Sequence, residues 1–244
     1  ASCNGDASDD DGTLDITLAE PNVTGRVVTS AGVPVPNAWV SVEQRYIVDW
    51  DGPGGNDPWT WWNNTGRGGQ TNSDGEFSIF TEPTDTETTY RLSVNPPWNW
   101  AGTPLVRFNS DGFTFVTGGL ESIDFTAADA GDLEFPAPKI ILTVKDQAGE
   151  PVPQSWVNVE HRIEYDWDGD PLTPNWSYWS WTDSYGSTNF DGVVALDPGD
   201  LDLSDTDGYE NWRVVVNPPW NSGNTLPRFE TTLSNLEDLD TNLD

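Results

Sequence analysis

Residues 27–75 realign on residues 144–192 at a constant offset of 117 without a gap, and 23 of the 49 aligned positions are identical. The chain is therefore two copies of one module. The shared residues include Trp39/Trp156, Glu43/Glu160, Arg45/Arg162, the Asp-Trp-Asp-Gly of 49–52 and 166–169, Trp59/Trp176, Trp62/Trp179 and Asp74/Asp191. Five residues of slippage follow, after which Val94-Asn95-Pro96-Pro97-Trp98-Asn99 answers Val216-Asn217-Pro218-Pro219-Trp220-Asn221 at an offset of 122, and Arg107-Phe108 meets Arg228-Phe229. Split at the repeat, the 244 residues give an acidic tether over 1–11 and modules over 12–130 and 131–244, each able to bury its own core.

Charge excludes one class of partner. A formal charge of −31 with only two lysines leaves no basic groove, so a nucleic-acid backbone is repelled. Acidity of this size fits an extracellular protein, a cation binder or a salt-adapted one. No apolar run approaches the roughly eighteen residues that span a bilayer. Cys3 alone cannot close an intrachain disulfide, and His161 alone makes no zinc site or paired imidazole chemistry. The counterpart of His161 in the first copy is Gln44, so the module does not need an imidazole and a surface strand position is expected for it.

Strand-like segments dominate. Residues 39–46, 77–80, 90–94 and 212–216 are short, β-branched or aromatic, and broadly alternating, with Gly, Pro, Asn and Asp between them. The spacing predicts an all-β chain of two tandem antiparallel β-sandwiches, one per module. Three further stretches carry a family likeness: Val23-Thr24-Gly25-Arg26-Val27-Val28, Ala31-Gly32-Val33-Pro34-Val35-Pro36-Asn37-Ala38-Trp39-Val40, and Thr71-Asn72-Ser73-Asp74-Gly75-Glu76-Phe77. Together they resemble the carboxypeptidase-regulatory or transthyretin-like module, also seen in CnaB-like adhesin repeats, and the second copy follows through Ala148–Pro153 and Thr188–Gly192. The resemblance implies a sandwich framework and leaves function open, because such modules serve as adhesin stalks, enzyme accessories and surface repeats.

The start of the chain, Ala1-Ser2-Cys3, resembles the end of a bacterial lipoprotein signal, which would make Cys3 a lipid anchor and the cell surface the location. Ordinary signal cleavage before Ala1 is the alternative.

Tryptophan is where the chain departs from the family pattern. There are 14, concentrated in one long excursion per copy, Asp49–Gly69 and Asp166–Gly186. These are expected to be long Trp-rich loops, and loops of such length are usually functional. Trp50, Trp59, Trp61, Trp62 and Trp98, with Trp167, Trp176, Trp179, Trp181 and Trp220, are the candidate contact residues. Three roles compete for the rings: a satellite core under the loop, a platform for sugars or another flat ligand, or a protein contact. Glu43 and Arg45, with Glu160 and Arg162, stand two apart on one strand face beside Trp39 and Trp156, and read as a clamp for the excursion. If Val40 and Val42 face the core, this set lies on the outer side.

Asp-Trp-Asp-Gly places alternate carboxylates before a tight turn, so Asp49, Asp51, Asp166 and Asp168 are candidate calcium ligands. An Asx-stabilised turn explains the motif equally well. Since every distinctive residue is duplicated and no isolated carboxylate pair stands out, binding or assembly is expected, not catalysis. The expected function is a non-enzymatic extracellular protein whose Trp-rich segments adhere to carbohydrate or matrix. The competing expectation is a subunit that binds copies of itself into a filament or surface layer, with Thr13–Leu18 available for strand addition.

Overall fold

The computed structural model describes residues 19–49, 59–82, 88–100, 104–115, 122–125, 131–165, 176–199, 211–219 and 226–235. Cys3, Trp50, Asp51, Asp166, Trp167, Asp168 and Trp220 lie outside these residues. Two compact units emerge. The first comprises 1–28, 33–94 and 109–133; the second comprises 29–32, 95–108 and 134–244.

The architecture is all-β. In the first unit, β1 (Val23–Val28) pairs antiparallel with β4 (Glu76–Ile79) and parallel with β8 (Ile123–Asp124), and β9 (Leu133–Glu134) also joins β1. The facing sheet has the order β3 (Trp59–Gln70), β2 (Trp39–Val48), β5 (Thr89–Asn95), β6 (Phe108–Asn109), with β7 (Phe113–Thr114) also on β5. The second unit repeats the plan. There β10 (Ile140–Thr143) pairs with β13 (Val193–Leu196), and a second sheet runs β12 (Trp176–Ser187), β11 (Trp156–Tyr165), β14 (Trp212–Asn217), β15 (Phe229–Thr232). All four strand segments expected from the sequence are found as β2, β4, β5 and β14. No α-helix occurs among the described residues, and no helix is long and apolar enough to cross a membrane.

Alternation explains the cores. Val40 and Val42 on β2, Leu92 and Val94 on β5, and Val23 and Val27 on β1 are sealed from solvent. An edge-to-face cluster of Tyr90, Phe113, Phe115 and Phe125 closes one side. In the second unit Ile140, Val157, Val159, Leu196, Val214 and Leu233 fill the same role. His161 sits on β11, half-buried, with its ring 4.5 Å from that of Trp212.

The repeated Thr-Asn pair has a clear physical task. The hydroxyls of Thr71 and Thr188 donate to the carbonyls of Val35 and Val152 (2.6 and 2.7 Å) and accept from the amides of Ala38 and Ser155. Each thus satisfies two backbone groups inside the sandwich, where an unmade hydrogen bond is costly. Asn72 and Asn189 then hold the following turn through their side-chain carbonyls.

Candidate functional site

The Trp-rich runs are strands. Of the excursions Asp49–Gly69 and Asp166–Gly186, expected as loop, the described parts from 59 and from 176 onward lie in β3 and β12, which pair along β2 and β11 and form two long hairpin arms. The reason lies in composition: Trp, Tyr and Thr fit a pleated surface, and each finds a cross-strand partner once β2 and β11 run on past the core. Each arm carries the same irregularity. Register slips by two residues between Ser41 and Glu43, and between Asn158 and Glu160. At this point Thr65 and Thr182 donate their hydroxyls to the carbonyls of Val42 and Val159, both at 2.8 Å. A slip of two preserves the side-chain alternation, so both faces of the arm continue those of the sandwich.

Register then sorts the side chains. On the outer face, Arg45 lies opposite Trp62 and Arg162 opposite Trp179, while Glu43 faces Asn64 and Glu160 faces Trp181. On the inner face, which continues from Val40 and Val42, Tyr46 lies opposite Trp61, Gln44 opposite Asn63, Ile163 opposite Tyr178 and His161 opposite Ser180. Trp59 and Trp176 start their strands opposite Val48 and Tyr165.

The outer face is a clamp, and its cation comes from a third strand. Glu43 receives Arg91 Nε at 2.7 Å, and the guanidinium of Arg91 lies 4.5 Å over the Trp62 ring. In the second unit Arg213 donates to Glu160 through Nε (2.7 Å) and Nη2 (2.6 Å) and lies 4.6 Å over Trp179. Glu160 is buried and also accepts from the Asn158 amide at 3.2 Å. Glu43 is thus paired with Arg91 and Glu160 with Arg213; Arg45 is exposed, and Arg162 turns to Ser177 (3.1 Å) and Glu164 (3.5 Å). Trp62 and Trp179 are half-buried under these cations, which ties the base of each arm to the sandwich.

Arg91 and Arg213 escaped the sequence argument, although the signal was there: they coincide at the same 122-residue offset that aligns Val94 with Val216. Other rings are open to solvent. Trp176 is 64% exposed, Trp181 66% and Tyr178 42%, and Tyr46 stacks on Trp61 with centroids 5.4 Å apart at 16°. Trp39 and Trp156 flank the clamp on the outer side, Trp156 against Tyr185 at 4.8 Å. Trp98, exposed, meets Phe190 edge-on at 4.6 Å within the second unit. The side chain of Trp59 is not among those described. For calcium, Asp49 is exposed at the end of β2 and the three other candidate ligands fall outside the described residues. Among the described residues no group of three or more His, Cys, Asp or Glu is placed to hold a metal ion.

No protein family and no curated protein matches the chain. Among solved structures, the shaft pilin SpaA from Lactobacillus rhamnosus GG is similar at 10% identity over 86% of this chain and 91% of its own, with a TM-score of 0.23. A streptococcal ancillary pilin is similar at 12% identity over 90% of this chain and 60% of its own, with a TM-score of 0.26. Backbones that superpose this loosely carry no argument about the role of this chain.

Proposed function

We propose that the chain is a non-enzymatic extracellular subunit, built of two transthyretin-like sandwiches, that assembles with copies of itself through the edges of its hairpin arms. The observation that carries this is the pair of twelve-residue strands β3 and β12, each standing at the end of its sheet among the described residues. An edge strand presents backbone N–H and C=O groups on its outer side to another chain, apart from the amides of Gly66, Arg67 and Ser184, which bond to nearby side chains. Proteins that need to stay apart blunt such edges with lysine, proline, short strands or bulges; the register slip at Thr65 and Thr182 is such an irregularity, and it leaves residues 59–64 and 176–181 beyond it as the docking edges. Here β3 holds one charged residue, Arg67, and β12 one, Asp183, with no proline in either. One edge per unit gives each molecule two docking edges, and a contact that does not close by rotation extends into a filament.

Self-repulsion opposes this assembly, because every copy carries a charge of −31. Screening shortens the reach of that charge from about 8 Å at physiological salt to about 3 Å at 1 M. Association should therefore rise steeply with salt, visible as fibres by electron microscopy and as fast-sedimenting material at high ionic strength. The variant Thr60→Lys with Ser177→Lys separates edge pairing from net charge. It lowers the repulsion (−31 + 2 = −29) while placing a lysine on each edge strand. Edge assembly predicts loss of fibres, whereas association governed by charge alone predicts more of them. A wild-type chain that stays monomeric at all salt concentrations rejects the proposal.

A further inference from the structure

The two faces of each arm differ in charge. Every described Asp, Glu, Lys or Arg that alternation assigns to β2, β11 and the paired ends of β3 and β12 beyond the register slip falls on the outer side: Glu43, Arg45, Glu160, Arg162 and Glu164. Among the described residues the inner side of both arms has none, in a chain with 41 acidic residues. What it presents is flat rings among neutral polar groups. In the first unit Tyr46 lies nearly parallel to Trp61, its hydroxyl 3.5 Å from the Gln44 side chain. In the second, Trp176 and Tyr178 sit 5.3 Å apart at 34°, both open to solvent. Trp61 and Tyr178 occupy the same position of the repeat.

We infer that this inner face is a stacking platform for a neutral polysaccharide, one per unit. A pyranose ring has a flat C–H face and a rim of hydroxyls, which matches an aromatic face bordered by amide and hydroxyl groups. Among the described residues an anionic glycan finds no Lys or Arg on this side, and a basic segment finds no carboxylate. A second copy of this acidic chain gains no charge complement from it either. Trp62 and Trp179 are excluded as ligand rings because Arg91 and Arg213 already cover them. The platform uses a face of the arm and is independent of edge assembly; two platforms on one chain add avidity where a polymer reaches both.

The test is binding of the full chain to a panel of neutral polysaccharides, including cellulose, chitin, xylan and mannan, by depletion from solution and by tryptophan fluorescence. At least one neutral polymer should bind. Tyr46→Ala with Trp61→Ala, and Trp176→Ala with Tyr178→Ala, should each weaken binding by roughly tenfold or more, about the scale of one decade per lost stacking contact and its buried area. Trp39→Ala, on the outer side, should leave binding unchanged. Trp176→Phe with Tyr178→Phe keeps the flat rings and should retain most of it, which separates lost stacking from a disturbed arm. Failure of wild type to bind any neutral polymer overturns the inference. So does binding that survives both alanine pairs, or loss of self-association in place of glycan binding when those rings are removed. Fibre formation by the alanine pairs should persist, so failure of either proposal is seen separately.

Discussion

Arg213→Ala is expected to destabilise the second unit by about 3–5 kcal/mol, the range for breaking one side of a buried ion pair. Arg213 supplies two donors to Glu160, whose side chain is only 4% exposed, and it also covers the Trp179 ring. Truncation leaves the carboxylate buried with the Asn158 amide as its one remaining described donor. It also uncovers a face of the indole that holds the base of the arm. Urea unfolding of the intact chain reads the effect as a lower midpoint for the second unit. Arg213→Lys should recover little, because an ammonium cannot both lie flat on the ring and reach the carboxylate with a fork of donors. Glu160→Leu combined with Arg213→Met should recover most of the loss, since it removes the stranded charge along with its partner. A loss below about 1 kcal/mol would place the pair with ordinary surface ion pairs and defeat the argument. Arg91→Ala should act in the same direction on the first unit with a smaller effect, because Glu43 keeps more water, at 13% exposure.

The framework was legible in the sequence wherever alternation and turn chemistry agreed. Val40 and Val42 between Trp39 and Glu43, or Tyr90, Leu92 and Val94 around Arg91, state their own faces. The arms were harder. Asn63-Asn64-Thr65-Gly66 and Gly68-Gly69 lie inside a twelve-residue strand, and such residues normally mark turns. They accommodate a register slip, and a slip is invisible to a strict period of two. The partner of Glu43 was missed for a related reason: Arg45 is two residues away in sequence, whereas Arg91 is 48 away and arrives only when β5 pairs with β2. Long-range pairing of this kind is set by sheet order, which one sequence does not reveal. Internal duplication partly replaces it, because a residue identical in both copies outside the obvious core asks for a partner that is duplicated as well.

Gly75→Ala and Gly192→Ala are each expected to cost the unit that carries them about 2–4 kcal/mol, from a strained positive φ joined to a backbone clash. Both glycines end the Asn-x-Asp-Gly turn, at φ of 75° and 72°. A Cβ at Gly75 would stand 2.5 Å from the Val27 carbonyl oxygen, and one at Gly192 would stand 2.5 Å from that of Val144. Neither oxygen can retreat easily. The amides of Val27 and Val144 donate to Gly75 and Gly192 at 2.8 Å, and their carbonyls accept from Val35 and Val152, so each strand is held from both sides. Gly149→Ala is the control, because its φ of 83° is equally unfavourable to a side chain while nothing stands within 4 Å of the added atom. It should cost only the conformational strain, about 1 kcal/mol. If Gly192→Ala is no worse than Gly149→Ala, the close approach of the turn to Val144 has no energetic weight. If it is clearly worse, the same contact accounts for why Asn-x-Asp-Gly stands unchanged in both copies while Ser73 and Phe190 between its fixed residues differ.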